Sequence, residues 1–440
     1  MNLSLVVCNQ KIFFYTWAMN TLFLLLLARS CLAASEWWSF HDQATLVTQE
    51  HPGFGSPYAG VKSLVPDEKA QTSVTSTLFL GGRIGRGFEA YVDPELSGGG
   101  GLSSTTGVAG FPNAEIYRVD DSRPKWSLAR LFLRQTIGLE GGEEPEVLAG
   151  DQNQVAGEVD RRRVTIVAGK FSLNDYLDQV SYSHDPRTQF LNWALMDFGA
   201  WDYAADTRGY TWGLLVEWRE KVWSIRIASA LEPVSANQLE LSTHFPRNRG
   251  DNVELEYRYP GGTVRTLIYA NHAEMGSYAA ALTSSATPDV TATRGHRTKA
   301  GAGFSVEQEL GRGWGAFGRL SFADGRFETW AFTEIDRALA LGVSRQGTPW
   351  GRPSDTLGLA LLANGLAGDH RAYLAAGGNG FMIGDGQLNY ALEQIFEGYY
   401  SWKVAEALTL TADFQFIRNP AYNADRGPVP VFAARIHYAM

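Results

Sequence analysis

Residues 408–416 read LTLTADFQF. In an extended chain Leu408, Leu410, Ala412, Phe414 and Phe416 point one way, and Thr409, Thr411, Asp413 and Gln415 the other, since successive side chains of a strand alternate between its faces. The same period returns elsewhere. Val253, Leu255, Tyr257 and Tyr259 alternate with Glu254, Glu256 and Arg258. Phe432, Ala434, Ile436, Tyr438 and Met440 alternate with Arg435 and His437, and Trp223, Ile225, Ile227 and Leu231 share a face opposite Arg226. Several of these runs reach about 9–11 residues, the length of a tilted strand crossing a bilayer, whereas strands of soluble proteins average about 5–6. One long apolar face and one polar face predict an all-β fold, a transmembrane antiparallel β-barrel.

The connections support that reading. Short ones include Arg219-Glu220-Lys221, Pro260-Gly261-Gly262, Gly311-Arg312-Gly313 and Ala405-Glu406-Ala407; long ones span 51–72, 94–125, 140–161, 173–207 and 276–298. Short periplasmic turns at one mouth and long extracellular loops at the other are the layout of outer-membrane barrels. Trp218 and Trp223 flank one turn, and Tyr399, Tyr400 and Trp402 lie near another, as the aromatic girdles of such barrels require. About seventeen candidate strands can be marked. An even-numbered barrel then has about 16, with 18 as the other choice; the doubtful segments are 88–93 and 330–344.

Export is expected. Lys11 precedes an apolar run from Leu22 to Ala28, and Cys31-Leu32-Ala33 offers a small-x-small cleavage point, so residues 1–33 read as a signal peptide and 34–440 as the mature barrel. Both cysteines, Cys8 and Cys31, fall in the leader, which leaves the mature chain without disulfides or thiolate metal sites. Removing Lys11 and Arg29 takes the bases from 38 to 36 against 47 acids, so the charge moves from −9 to −11. No basic run points to nucleic acid. Beyond residue 34 no apolar stretch has the length of a membrane helix. The eight histidines are scattered, with no HExxH. Neither GxSxG nor a Walker A or dinucleotide fingerprint occurs, and no cofactor or metal is expected.

Two constellations carry chemistry. The first is HDPRTQFLNWALMDFGAWDYAADTRGY, residues 184–210, where Asp185, Asp197, Asp202 and Asp206 interleave with Trp193, Trp201 and Tyr203, and Asp178 lies just upstream. Acids among aromatic faces suit sugars. A glycosidase would need two carboxylates about 5–9.5 Å apart, for which Asp197 with Asp202, or Asp202 with Asp206, are the candidates. The competing reading is a folded loop with packed aromatics and solvated acids. Asn174-Asp175 is a candidate helix cap, and Phe190, Trp193, Ala194 and Asp197 follow helical spacing. The second is ARLFLRQ, residues 129–135, where Arg130, Phe132 and Arg134 oppose Leu131, Leu133 and, further on, Ile137. Arginine facing lipid near the midplane costs about 2–4 kcal/mol, so the arginines are expected in the lumen. There they either donate to sugar hydroxyls or pair with wall carboxylates.

At this point the chain resembles the carbohydrate-selective porin family of Gram-negative outer membranes, the OprB type. The similar blocks are GVAGFPNAEIYRV (107–119), ARLFLRQTIGL (129–139), GKFSLNDYLD (169–178), SHDPRTQFLNWALMDFGAWDYAADTRGYTWG (183–213), GRPSDTLGLALLANGL (351–366), AAGGNGFMIGDG (375–386) and NPAYNADRGPV (419–429). The resemblance implies a barrel commonly described as sixteen-stranded that passes small carbohydrates without catalysis, embedded in outer-membrane lipid and delivered by the outer-membrane assembly machinery. It also implies a monomer. Inward-folded loops narrow the pore in that family; carried over, the constriction is the 173–207 loop, and the expected pore lining is Arg130, Arg134, Asp175, Asp185, Arg187, Trp193, Asp197, Trp201, Asp202 and Arg208. A general or anion-preferring porin, and an exported glycoside hydrolase or sugar-binding protein, are the alternatives. The chain ends His437-Tyr438-Ala439-Met440 where such barrels usually end on an aromatic residue, which puts the usual assembly signal in question.

Overall fold

The computed structural model describes residues 37–116, 123–139, 144–284 and 287–440; the expected signal peptide and its cleavage point lie outside them. In chain order the strands are β1 (Trp38–Glu50), β2 (Gln71–Gly85), β3 (Phe88–Gly99), β4 (Lys125–Gly138), β5 (Glu146–Leu148), β6 (Gly157–Val159), β7 (Arg163–Phe171), β8 (Thr211–Arg219), β9 (Trp223–Leu231), β10 (Arg249–Tyr259), β11 (Gly262–Ala273), β12 (Arg297–Gly311), β13 (Trp314–Ala323), β14 (Arg337–Gly347), β15 (Arg352–Gly365), β16 (Glu393–Ala405), β17 (Leu408–Arg418) and β18 (Val429–Ala439). Sixteen of them close an antiparallel barrel in which neighbours in sequence are neighbours in the wall and β1 pairs with β18. β5 and β6 form a separate hairpin. Met440 prolongs the closing ladder by exchanging both backbone hydrogen bonds with Asp42 at 3.0 Å.

Both doubtful segments hold strands. β3 starts at Phe88 and continues through Pro94 to Gly99, so the predicted loop from 94 begins later. The register shifts between Asp93 and Pro94, and a bulge is where a strand tolerates a residue without an N–H. In the 330–344 stretch only Arg337 onward is strand.

The outer face carries the apolar alternation: Leu131, Leu133, Ile137, Leu255, Ile268, Leu320, Leu341 and Leu361 are all exposed. Near the short turns the wall carries exposed Trp218, Tyr257, Trp314, Trp350 and Trp402; near the long connections it carries Trp126, Trp212, Phe322 and Phe432. Tyr399 is not part of either girdle, because the alternation of β16 turns it inward, where it is buried.

The turns at the short mouth cover 86–87, 220–222, 260–261, 312–313, 348–351 and 406–407. The connection 139–162 departs from the expected layout. It joins the ends of β4 and β7 where Gly138 pairs with Arg163, so it belongs to the short-turn mouth despite its length.

Most of the lumen is filled. Arg226 of β9 bonds Glu254 at 2.7 Å and Glu256 at 3.1 Å on β10. Arg265 of β11 lies 3.0 Å from both Glu256 and Glu307. Taking such charges out of water is tolerable only when every one is paired. Against this wall pack the long connections, whose Phe111, Phe190, Trp193, Phe198, Trp201 and Tyr203 join wall residues Phe132, Phe317 and Tyr399 in one apolar cluster.

Candidate channel lining

The segment 172–210 leaves the long-loop end of β7 and folds into the barrel. It starts with a 3-10 turn at Leu173–Asp175 in which the Ser172 N–H donates to Asp175 Oδ2 at 3.0 Å. The cap is thus Ser172, not the Asn174-Asp175 pair, and the turn does not continue. Further on, Asn192 Oδ1 accepts from the Ala194 N–H at 3.1 Å and starts a single helical turn, Trp193–Met196, which stops as Asp197 turns extended.

Wall charges hold this segment by its backbone. Glu254 accepts from the Asp178 N–H at 2.7 Å and Glu307 from the Ser181 N–H at 2.6 Å. Glu397 takes the amides of Leu191 and Asn192. Arg435 donates to the carbonyls of Pro186 (2.6 Å) and Gln189 (2.8 Å). Arg319 donates to those of Leu195 (2.7 Å), Ser183 (2.6 Å) and Met196 (3.1 Å), and pairs with Asp178 at 3.0 Å. An irregular chain inside a barrel must satisfy its amides and carbonyls with something, and here wall carboxylates and guanidinium groups serve.

What this packing leaves open is a cavity of about 640 Å³ in the lumen. Seven of the ten expected residues line it: Arg130, Arg134, Asp175, Asp185, Arg187, Trp193 and Arg208. Arg130 donates to Asp175 Oδ2 at 2.7 Å and stands 3.5 Å from Asp93. Arg134 pairs with Glu89 at 2.7 Å, and Arg187 with Glu115 at 2.8 Å. The arginine strand therefore satisfies both of its sequence readings, since its guanidinium groups face the cavity and are ion-paired. Asp185 accepts from the Arg187 N–H (3.0 Å) and the Thr188 hydroxyl (2.8 Å). Arg208 has no carboxylate within ion-pair distance among the described residues. Its lining companions include Glu115 and Asp151, so four arginines face four carboxylates across the space.

One side of the cavity is aromatic. Trp193 stacks on Phe111 with ring centres 5.4 Å apart and lies 4.5 Å from Phe332, which stacks on Tyr203 at 4.9 Å. Trp193, Tyr203, Tyr210 and Phe332 all border the open space.

Three expected lining residues do not reach the cavity. Asp202 is fully buried and its carboxylate gathers the amides of Trp330 (2.8 Å), Ala331 (3.0 Å), Phe332 (2.7 Å) and Thr333 (3.4 Å), with Lys299 Nζ at 3.4 Å. It anchors the 324–336 connection. Trp201 is buried and donates its indole N–H to Asn252 at 3.0 Å. Asp197 is buried behind the wall of the cavity; it accepts from the Asn174 amide at 3.1 Å and sits 3.6 Å from His184 Nδ1. Burial, reinforced by the neighbouring Asp178, raises the Asp197 carboxyl well above the usual range. Burial and the Arg319 charge push His184 down to about 4. The glycosidase pairings fail on the same ground, because neither Asp197 nor Asp202 opens toward the space a sugar would occupy.

Sequence reasoning missed Glu115, Gln43, Tyr210, Phe332 and the tip of the 139–162 connection, Asp151 to Gln154, all of which border the cavity. Gln43 lies on β1, far in sequence from the acid-aromatic segment, and Glu115, though inside the 107–119 block, has no pattern around it that marks a lining residue.

The family model described as "Carbohydrate-selective porin, OprB family" matches residues 62–440. No curated protein matches the chain. Among solved structures, the high-pH structure of OprB from Pseudomonas putida is 15% identical, covers 92% of this chain and 94% of its own, and superposes with a TM-score of 0.68. The outer-membrane channel DcaP of Acinetobacter baumannii is 8% identical, covers 92% and 97%, and gives 0.52. At these identities the two structures establish the fold. The comparisons do not support the monomer that the resemblance implies.

Proposed function

Since the chain belongs to the carbohydrate-selective porin family and is a barrel channel of a Gram-negative outer membrane, we propose that its central cavity is the sugar path and that the 173–207 loop is the constriction. The observation that carries this reading is the cavity's lining: aromatic rings beside a charge-balanced set of donors and acceptors. A sugar ring has an apolar face that can lie against Phe332, the ring of this cluster that keeps exposed surface, and hydroxyls that exchange water for Arg187, Asp185, Arg208 and Asn174. Transport needs only weak contacts, since a tight site would hold its occupant. Catalysis is not expected, and cleavage of residues 1–33 precedes insertion.

A general or anion-preferring pore is the second reading. Arg130, Arg134 and Arg187 argue against it, because each positive charge is cancelled by a carboxylate within 2.8 Å. Purified protein in planar bilayers should open channels whose current falls as maltose is added. Liposome swelling should be faster with maltose than with a charged solute of equal size. Failure to open channels, or equal swelling rates, overturns the proposal.

A further inference from the structure

Two chain segments enter the lumen from opposite mouths. One is the 172–210 loop; the other is the β5–β6 hairpin of the 139–162 connection. Its tip is tight: the Asp151 N–H donates to the Gln154 carbonyl at 3.1 Å and the Gln154 N–H to the Asp151 carbonyl at 3.0 Å, with Asn153 at φ 55° between them, a left-handed conformation that Asn tolerates.

The tip reaches deep. Asn153 Nδ2 donates to Asp93 at 2.9 Å and its carbonyl accepts from Arg134 at 3.0 Å. Asp93 pairs in register with Arg130, which is eight residues along β4 from the mouth at Gly138, or about 26 Å of strand. Arg130 in turn holds Asp175 of the opposite segment. The chain Asn153–Asp93–Arg130–Asp175 thus ties the two intruding segments together within the barrel. Below the tip lies a second cavity of about 640 Å³, and Gln154, Arg134 and Tyr176 border both spaces.

We propose that the hairpin tip is a specificity-determining element for neutral sugars, with Gln152 and Gln154 contacting the hydroxyls of the solute as it passes between the two cavities; this rests on reading the upper cavity as the sugar path. Gln152 meets the Gln43 amide at 3.0 Å and Gln154 donates to the Ala149 carbonyl at 2.8 Å, so each amide has one partner in place and keeps further donor and acceptor capacity. An uncharged group that both donates and accepts matches a hydroxyl without drawing ions into the narrow part. Asn153 and Asp93 position the tip.

The test uses the full-length protein in planar bilayers with maltose as the probe. The Gln152→Ala/Gln154→Ala variant should raise the maltose concentration for half-block by roughly tenfold, as expected for two lost hydrogen bonds. A second variant, in which a short Gly-Ser linker replaces 144–160, should lose the block and conduct more; a boiling-dependent gel shift verifies that each variant is folded, and either one suffices. A parent channel that maltose blocks, with variants blocked at the same concentration, overturns the proposal alone. A parent that maltose does not block overturns the sugar-path reading beneath it.

Discussion

Asp202 shows how one carboxylate is worth more as an anchor than as a contact. Its sequence setting placed it in the expected pore lining; its surroundings assign it to the 324–336 connection and to Lys299, both members of the pair fully buried. Deleting one member of such a pair strands the other and costs about 3–5 kcal/mol. Asp202→Ala should therefore lower the urea midpoint of the boiling-dependent gel shift strongly. Adding Lys299→Ala should restore part of the loss, because the orphaned ammonium goes with it. Additive losses would rule out the pairing. His184 gives a pH dependence. Its folded value of about 4 lies below the ordinary 6.5, so the unfolded chain binds the proton first as pH falls. Stability is then lost from pH 6.5 down to about 4 and no further. His184→Gln should flatten that part of a stability–pH profile. Asp197 has the opposite sign: its raised value favours the folded state at low pH and the contribution disappears as pH rises. Asp197→Asn should leave stability at neutral pH unchanged or higher, and a marked loss there would contradict the assignment.

At the scale of elements, the strands were legible and one connection was misplaced. The alternation of β10, β17 and β18 needs only backbone geometry and a lipid boundary, so it can be read directly. β3 was doubtful because Pro94 and the Gly98–Gly101 run interrupt the pattern, and the bulge that accommodates the proline is a pairing property invisible in one strand alone. Losing β3 loses the parity of the count. The 140–161 stretch was grouped with the long loops by its length alone, and only the strand pairing places it at the short-turn mouth. The 172–210 segment was legible as a site by composition, yet its anchors are charges on β10, β12, β13, β16 and β18, brought near only by closure of the barrel. That dependence is testable. Arg319 holds four carbonyls and one carboxylate of the segment. Arg319→Ala should release part of it while leaving the lipid face intact. Bilayer recordings should then show larger and noisier currents than the parent, and a trace as quiet as the parent's would mean that the remaining anchors suffice.

The full sequence carries −9, but ions in transit meet the constriction rather than the total. There, four arginines face four carboxylates, and low-dielectric walls make local charge count more than distant charge. The balance is uneven in one respect, since Arg130, Arg134 and Arg187 have carboxylate partners and Arg208 has none within ion-pair distance among the described residues. Screening at about 0.15 M salt acts over roughly 8 Å, so a paired guanidinium contributes little field at the centre of the cavity while Arg208 contributes most of its own. Because the four lining carboxylates balance the four arginines in sum, the parent channel in a salt gradient should show a reversal potential near zero, as suits a path for uncharged solutes. Arg208→Glu replaces one positive charge by one negative charge at that position and should move the reversal potential toward cation preference. The same exchange at Arg134 sets a carboxylate beside Glu89 and breaks a structural pair, so its main effect should be a loss of folded protein. If Arg208→Glu leaves the reversal potential where the parent has it, the cavity is not the narrowest part of the ion path, and the lining residues would have to be sought between the hairpin and the short-turn mouth.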